Sequence, residues 1–207
     1  MRPLKSVTLL LAILCPALQA TLIFDQSPPN NHAGDITSFR GADDFTLVQS
    51  STITGINFWY GATLQGDLTS ATWAIYSNVS GAPGAQIASA TASITSSIDS
   101  PFFFASMPVA SLNLAVGTYW LEIHSGTSLS DASGPGIDWA FTADNASFVS
   151  RFSNSGPPVL ITGADSGFQQ FAFQLTGTTA PSGVPEPATY ALLAVGLGLI
   201  ALRRRIR

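Results

Sequence analysis

The middle of this chain predicts an all-β fold, an antiparallel β-sandwich. Three observations carry that expectation. About nine short runs rich in β-branched and aromatic residues follow one another. Within them apolar and polar residues alternate with a period of two, so one face packs and the other is wetter. Clusters of Gly, Pro, Asn, Asp and Ser separate the runs, and no long 3.6-residue pattern interrupts them. Many short strands need two sheets to bury one layer each. A jelly roll is therefore the first expectation and an immunoglobulin-like sandwich the second. No motif recurs at a fixed spacing, which argues against a propeller or solenoid. Two apolar segments flank this body and predict an N-terminal signal helix and a C-terminal transmembrane helix.

The first segment, residues 1–20, has the three parts of a secretory signal. Arg2 and Lys5 make a positive start, Val7 to Leu14 an apolar run too short to span a bilayer, and Pro16 breaks the helix before small Ala17 and Ala20. Cleavage is expected after Ala20, with Leu18 at the −3 position. Lipidation of Cys15 is disfavoured by bulky Leu14 before it and Pro16 after it.

The body, residues 21–179, is read strand by strand. The run from Ile53 to Tyr60 places Ile56, Phe58 and Tyr60 on one face. ATWAIYS places Trp73 and Ile75 together. GTYWLEIHS puts Tyr119, Leu121 and Ile123 on one face and Trp120, Glu122 and His124 on the other. FAFQL aligns Phe171, Phe173 and Leu175. Further strands are expected at Asp44–Val48, Gln86–Ile94, Phe102–Pro108, Trp139–Thr142 and Phe148–Phe152. Asn78–Ala85 is expected to connect two strands, and Ser133–Gly136 to form a turn.

After the polar stretch TGTTAPSG, read as a flexible spacer, residues 180–187 form a linker carrying Pro185, Glu186 and Pro187. The prolines forbid a helix through Glu186 and favour extended backbone, the form a protease cleft accepts. Residues 188–207 are the transmembrane helix and basic tail. From Ala188 to Leu202 there is no charge, and Tyr190 suits an interface. A helix of that length falls somewhat short of a ~30 Å hydrocarbon core and spans it if Arg203, Arg204 and Arg205 snorkel. The arginines keep the tail in the cytoplasm and the body outside.

This tail resembles the PEP-CTERM sorting signal: the Pro185-Glu186-Pro187 motif, an apolar helix, and Arg203, Arg204 and Arg205 behind it. The resemblance implies recognition in the membrane by an exosortase, cleavage near the motif and delivery to the surface, in Gram-negative bacteria that make exopolysaccharide. A tail anchor that is never cut is the rival reading. In the body, the order ADDFTL, TITGINFWY, ATWAIYS, GAPG and GTYWLEI, from Ala42 to Ile123, resembles the β-sandwich body of many PEP-CTERM proteins. It implies a fold and no activity.

Charge narrows the function. Only 10% of the 207 residues are charged, against roughly 25% in an ordinary soluble protein. Between the two ends stand only Arg40 and Arg151, against ten Asp and one Glu. Such a body is not a nucleic-acid binder, which needs clustered Lys and Arg. The single cysteine, Cys15, lies in the signal segment, so the mature body has neither thiol catalysis nor a disulfide.

Candidate chemistry is sparse. His32 and His124 are the only histidines, and no GxSxG elbow exists. Glu122 is the body's lone glutamate and offers no carboxylate pair for glycoside hydrolysis. Asp43 and Asp44, or the turn residues Asp131, Asp138, Asp144 and Asp165, are the weak candidates for calcium. Alternation turns one of the Asp43-Asp44 pair inward, which favours a structural role. Trp59 and Trp120 lie opposite the packing faces of their strands and are the candidates for stacking on sugar rings, although tryptophan is more often core. The expectation is a non-enzymatic, cofactor-free protein of the cell surface or extracellular matrix. Its expected partners are the general secretion machinery, an exosortase-type protease and exopolysaccharide. The alternative is a lectin-like module using exposed Trp or a calcium loop.

Overall fold

The structure is a computed structural model that describes residues 20–37, 39–126, 136–142, 149–153, 159–161 and 170–180, with the single positions 196 and 203. The expected signal segment before Ala20, the Pro-Glu-Pro motif and most of the apolar tail lie outside the described residues, as do residues 133–135 of the SGPG turn. Among the described residues no helix is long and apolar enough to cross a membrane.

The strands in chain order are β1 (Thr21–Gln26), β2 (Pro29–Asp35), β3 (Phe39–Leu47), β4 (Ser51–Gly61), β5 (Ser70–Val79), β6 (Ala82–Ser93), β7 (Thr95–Asp99), β8 (Phe102–Leu114), β9 (Gly117–His124), β10 (Asp138–Thr142), β11 (Val149–Ser153), β12 (Val159–Ile161) and β13 (Phe173–Thr179). They form two antiparallel sheets. One runs β1-β13-β4-β10-β2 with β8 and β7 on the other side of β4; the second runs β12-β11-β3-β9-β5-β6.

Five pairings are nested inside one another: β5 with β6, β4 with β8, β3 with β9, β2 with β10, and β1 with β13. The chain is thus a ribbon doubled back at the β5–β6 turn and wrapped so that β13 also meets β4 and β9 also meets β5. The doubling point is a two-residue turn. Ser80 and Gly81 both have positive φ, 53° and 80°, the primed geometry whose twist matches the flanking strands. The expected connection over Asn78–Ala85 is therefore almost all strand.

Alternation explains which face each sheet buries. Ile56, Phe58 and Tyr60 of β4 and Phe173 and Leu175 of β13 face Phe45 and Leu47 of β3, Trp73 and Ile75 of β5, and Leu121 and Ile123 of β9 in one core. Phe45 and Phe173 meet edge to face across the two sheets at 6.3 Å. Trp139 stacks on Phe171 at 4.1 Å and donates its indole N–H to the Ala172 carbonyl.

Strands β1, β2, β7 and β12 were not expected. All four stand at sheet edges, where a strand buries little and its sequence is free of strict alternation. PNNHAGD and TSSID have none, and Pro29 is tolerated because it opens an edge strand. The spacer read at TGTTAPSG is corrected in its first half. Thr176–Thr179 belong to β13 and pair with β4, because the ladder continues as long as β4 offers partners.

The β13–β4 register shifts between Thr176 and Gly177. A Cβ on Gly177 would stand 1.9 Å from the Thr52 carbonyl oxygen. Gly177→Ala is expected to cost about 1–3 kcal/mol of stability through forced backbone displacement, read by urea denaturation. A cost below about 0.5 kcal/mol, the range of an ordinary surface change, would mean that the ladder opens there without penalty.

Candidate functional site

A close group of polar side chains stands on the outward face of the second sheet. Strand β9 lies between β3 and β5, so Trp120, Glu122 and His124 point away from the main core. Glu122 is directly opposite Ala42 on β3 and Ala74 on β5. Two alanines leave space over the carboxylate, and the diagonal residues Arg40 and Tyr76 reach across it.

Glu122 accepts from Arg40 Nε at 2.5 Å and Arg40 Nη2 at 2.7 Å, one bond to each oxygen. The Tyr76 hydroxyl donates to Oε2 at 2.7 Å, and Arg40 Nη2 donates to the Tyr76 oxygen at 2.7 Å. His124 Nδ1 lies 3.1 Å from Oε1. The carboxylate is fully buried, and the Arg40 side chain is 14% exposed.

The electrostatics follow from this geometry. Burial pushes Glu122 up, but Arg40, His124 and Tyr76 outweigh it and hold the carboxyl below its ordinary range. Burial pushes the Arg40 guanidinium down, and Glu122 reverses that, so it stays cationic. Burial and the Glu122 charge both push the Tyr76 phenol up, which keeps it a donor. The result is a bidentate ion pair with a phenol closing its side. A carboxylate with roughly four lone-pair directions has little left to take a proton from a substrate. The arrangement pins three strands together.

Beside it, Trp120 faces Tyr76 across the β5–β9 ladder and donates its indole N–H to Asn78 Oδ1 at 2.9 Å. It is only 2% exposed. Trp59, on the outward face of the first sheet, is 6% exposed, packs edge-on against Phe104 and donates to Asp99 Oδ2 at 2.6 Å. The expectation that these two rings offer open stacking faces is corrected. Each sheet buries apolar residues on its outward side as well, Ala42, Ala74, Tyr76 and Trp120 on one and Trp59, Phe102, Ala140 and Ala172 on the other.

Asp43 and Asp44 point to opposite faces of β3, so they do not converge on one ion. Asp43 is buried in the interior. Its Oδ2 accepts from Gln26 Nε2 at 2.7 Å and from the Phe171 N–H at 2.6 Å, and its Oδ1 from the Asp44 N–H at 2.9 Å. Burial pushes its carboxyl well above the ordinary range, against the pull of those donors. It joins β3 to β1 and to the start of the last strand. Asp44, half-buried, is also pushed up by burial. Among the described residues no three His, Cys, Asp or Glu side chains gather as a metal site would require. Asp131, Asp144 and Asp165 lie outside the described residues, and Asp138 opens β10 opposite Asp35. His32 is exposed on β2 and His124 buried on β9, in different sheets.

The partners of Glu122 were not foreseen from the sequence. The available signal was the body's lone Glu, on β9, and one of only two arginines in the body; pairing them needed the register.

At the C-terminus, the tripeptide, apolar run and arginines coincide with a known signal. Residues 183–207 match the PEP-CTERM protein-sorting motif. The PEP-CTERM match takes in Pro185, Glu186, Pro187, Arg203, Arg204 and Arg205, and leaves the β body outside it. A PEP-CTERM signal implies export and a C-terminal membrane-anchoring sorting segment. No curated protein matches the chain.

Proposed function

We propose that this chain is a non-enzymatic, cofactor-free surface or extracellular-matrix protein of a Gram-negative bacterium, exported through the general secretion machinery and sorted by an exosortase. Its body is read as a jelly-roll sandwich that lies among exopolysaccharide. The PEP-CTERM match at residues 183–207 carries this reading. The nested strand pairings support the jelly roll, since that fold is a doubled ribbon wrapped into two sheets. The outward Arg40–Glu122 group supports a non-enzymatic body, because its carboxylate is spent on holding strands. An acidic, lysine-free surface disfavours anionic polymers and suits neutral ones.

Sorting is tested by replacing Pro185, Glu186 and Pro187 with alanine in the producing cell. The expected result is accumulation of an uncut, membrane-bound form, read by intact mass of the membrane and released fractions. The wild type should lose both the N-terminal signal and the apolar tail. Unchanged release of the variant would overturn exosortase sorting in favour of another protease, and uncut wild type would leave a simple tail anchor.

A further inference from the structure

One end of the body differs in chemistry from the other, and it is the end from which the chain leaves for the membrane. Register locates it. Leu47 is opposite Gly117, Ser51 is opposite both Leu114 and Thr179, Thr21 is opposite Gly177, and Val79 meets Ala82 at the hairpin tip. The β3–β4, β5–β6 and β8–β9 connections therefore gather around the end of β13. The Ala180 N–H is tied to the Ser50 carbonyl there at 2.8 Å. The same end receives the chain from the N-terminal signal segment at Thr21.

Its surface is apolar and uncharged. Leu22, Val48, Val79 and Val116 stand out from four different segments at this end, exposed from 51% at Leu22 to 82% at Val48. Residues 46–52, 77–84, 111–119 and 176–180 contain no Asp, Glu, Lys or Arg. The opposite end carries Asp35, Asp67, Asp99 and Asp138. An acidic body thus keeps its carboxylates away from the end that is tethered. The tether is short. Between Ala180 and the apolar run stand residues 181–187, which reach at most about 25 Å when fully extended. Apolar side chains on uncharged loops held that close to a bilayer gain by entering its interfacial zone, and carboxylates there would be costly.

We propose that the tail-proximal end of the body, formed by Leu22, Val48, Val79 and Val116, is a lipid-contact surface that seats the domain on the bilayer while the tail is still attached. The inference rests on the reading of residues 188–202 as a membrane span. It adds an orientation: the sheets stand on the membrane, with the hairpin tip and β13 downward and the acidic loops outward.

The test uses the full chain with Cys15→Ser, reconstituted into phosphatidylcholine vesicles. Single cysteines at Val48, Val79, Val116, Leu64, Ile98 and Gly196 carry an environment-sensitive fluorophore. Lipids bear a nitroxide either near the headgroup end of the acyl chain or near the bilayer centre. Side chains lodged ~5–10 Å into the interface should be quenched at least about threefold more strongly at 48, 79 and 116 than at 64 and 98. The shallow nitroxide should be the effective one at those three positions, and the deep nitroxide at 196. Quenching at 196 with 48, 79 and 116 no different from 64 and 98 would overturn the lipid surface and leave the anchor standing. Absence of quenching at 196 as well would overturn both. Blue-shifted emission at 48, 79 and 116 without quenching would replace lipid by a protein, a second copy or another chain.

Discussion

Phe173→Ala should lower the unfolding free energy by about 3–5 kcal/mol, the range for emptying a large aromatic site in a packed interior. The side chain is fully buried. Its ring meets Phe24 at 5.1 Å, Trp139 at 5.9 Å and, across the two sheets, Phe45 at 6.3 Å. Strand β13 is held by β1 on one side and β4 on the other, so neither neighbour can move in to fill the space. Domains of ordinary size have about 5–15 kcal/mol in all, so the loss should be evident as a large fall in the urea midpoint at pH 7. Ile98→Ala is the comparison. That side chain is 70% exposed on edge strand β7, and its loss should stay within about 0.5 kcal/mol. A cost below about 1 kcal/mol for Phe173→Ala, far short of a core truncation, would remove β13 from the core.

Glu122→Gln should cost about 3 kcal/mol, the lower part of the range for breaking a buried pair, because Arg40 keeps some access to water. The amide preserves shape but cannot balance the guanidinium. Combining it with Arg40→Met should recover much of the loss, since the penalty is an unpaired charge and not a missing contact. The pH dependence has a definite sign. The folded-state pKa of Glu122 lies below its ordinary value, near 4.3 in an unfolded chain. The unfolded state therefore binds more protons in the window between the two. The stabilisation from Glu122 is fully present above the unfolded pKa and is lost as pH falls through the folded one. The gap between wild type and Glu122→Gln should be widest at neutral pH and close on acidification. Asp43 acts with the opposite sign, since its folded pKa is raised. Its contribution is present below the unfolded pKa and lost as pH rises, and it cancels when the two proteins are compared. A gap that did not change between neutral pH and pH 3 would mean that Glu122 is not the ionised partner of Arg40.

The strands that fill the middle of each sheet were legible because both their neighbours and one face constrain them. ITGINFWY, ATWAIYS and GTYWLEIH each alternate, and the apolar face read from that alternation is the one that enters the core shared by the two sheets. Edge strands escaped for the converse reason. Among the described residues PNNHAGD pairs only with β10 and TSSID only with β8, so no second neighbour forces a period of two upon them. The tail was legible because a sorting signal is read by other molecules as a short linear string.

Local sequence alone determined the C-terminal sorting motif, the all-β character and the inward faces of β4, β5, β9 and β13. All of these depend on spacing within about ten residues. Only the tertiary structure decided what lies across from each residue. It placed Ala42 and Ala74 beside Glu122 so that Arg40 and Tyr76 could close over it, and turned Asp43 inward to meet Gln26 and the Phe171 amide. It also buried Trp59 and Trp120 on faces that alternation marks as outward. The reason is physical. Period two fixes which side of its own sheet a side chain leaves from, while burial depends on what the rest of the chain lays over that side.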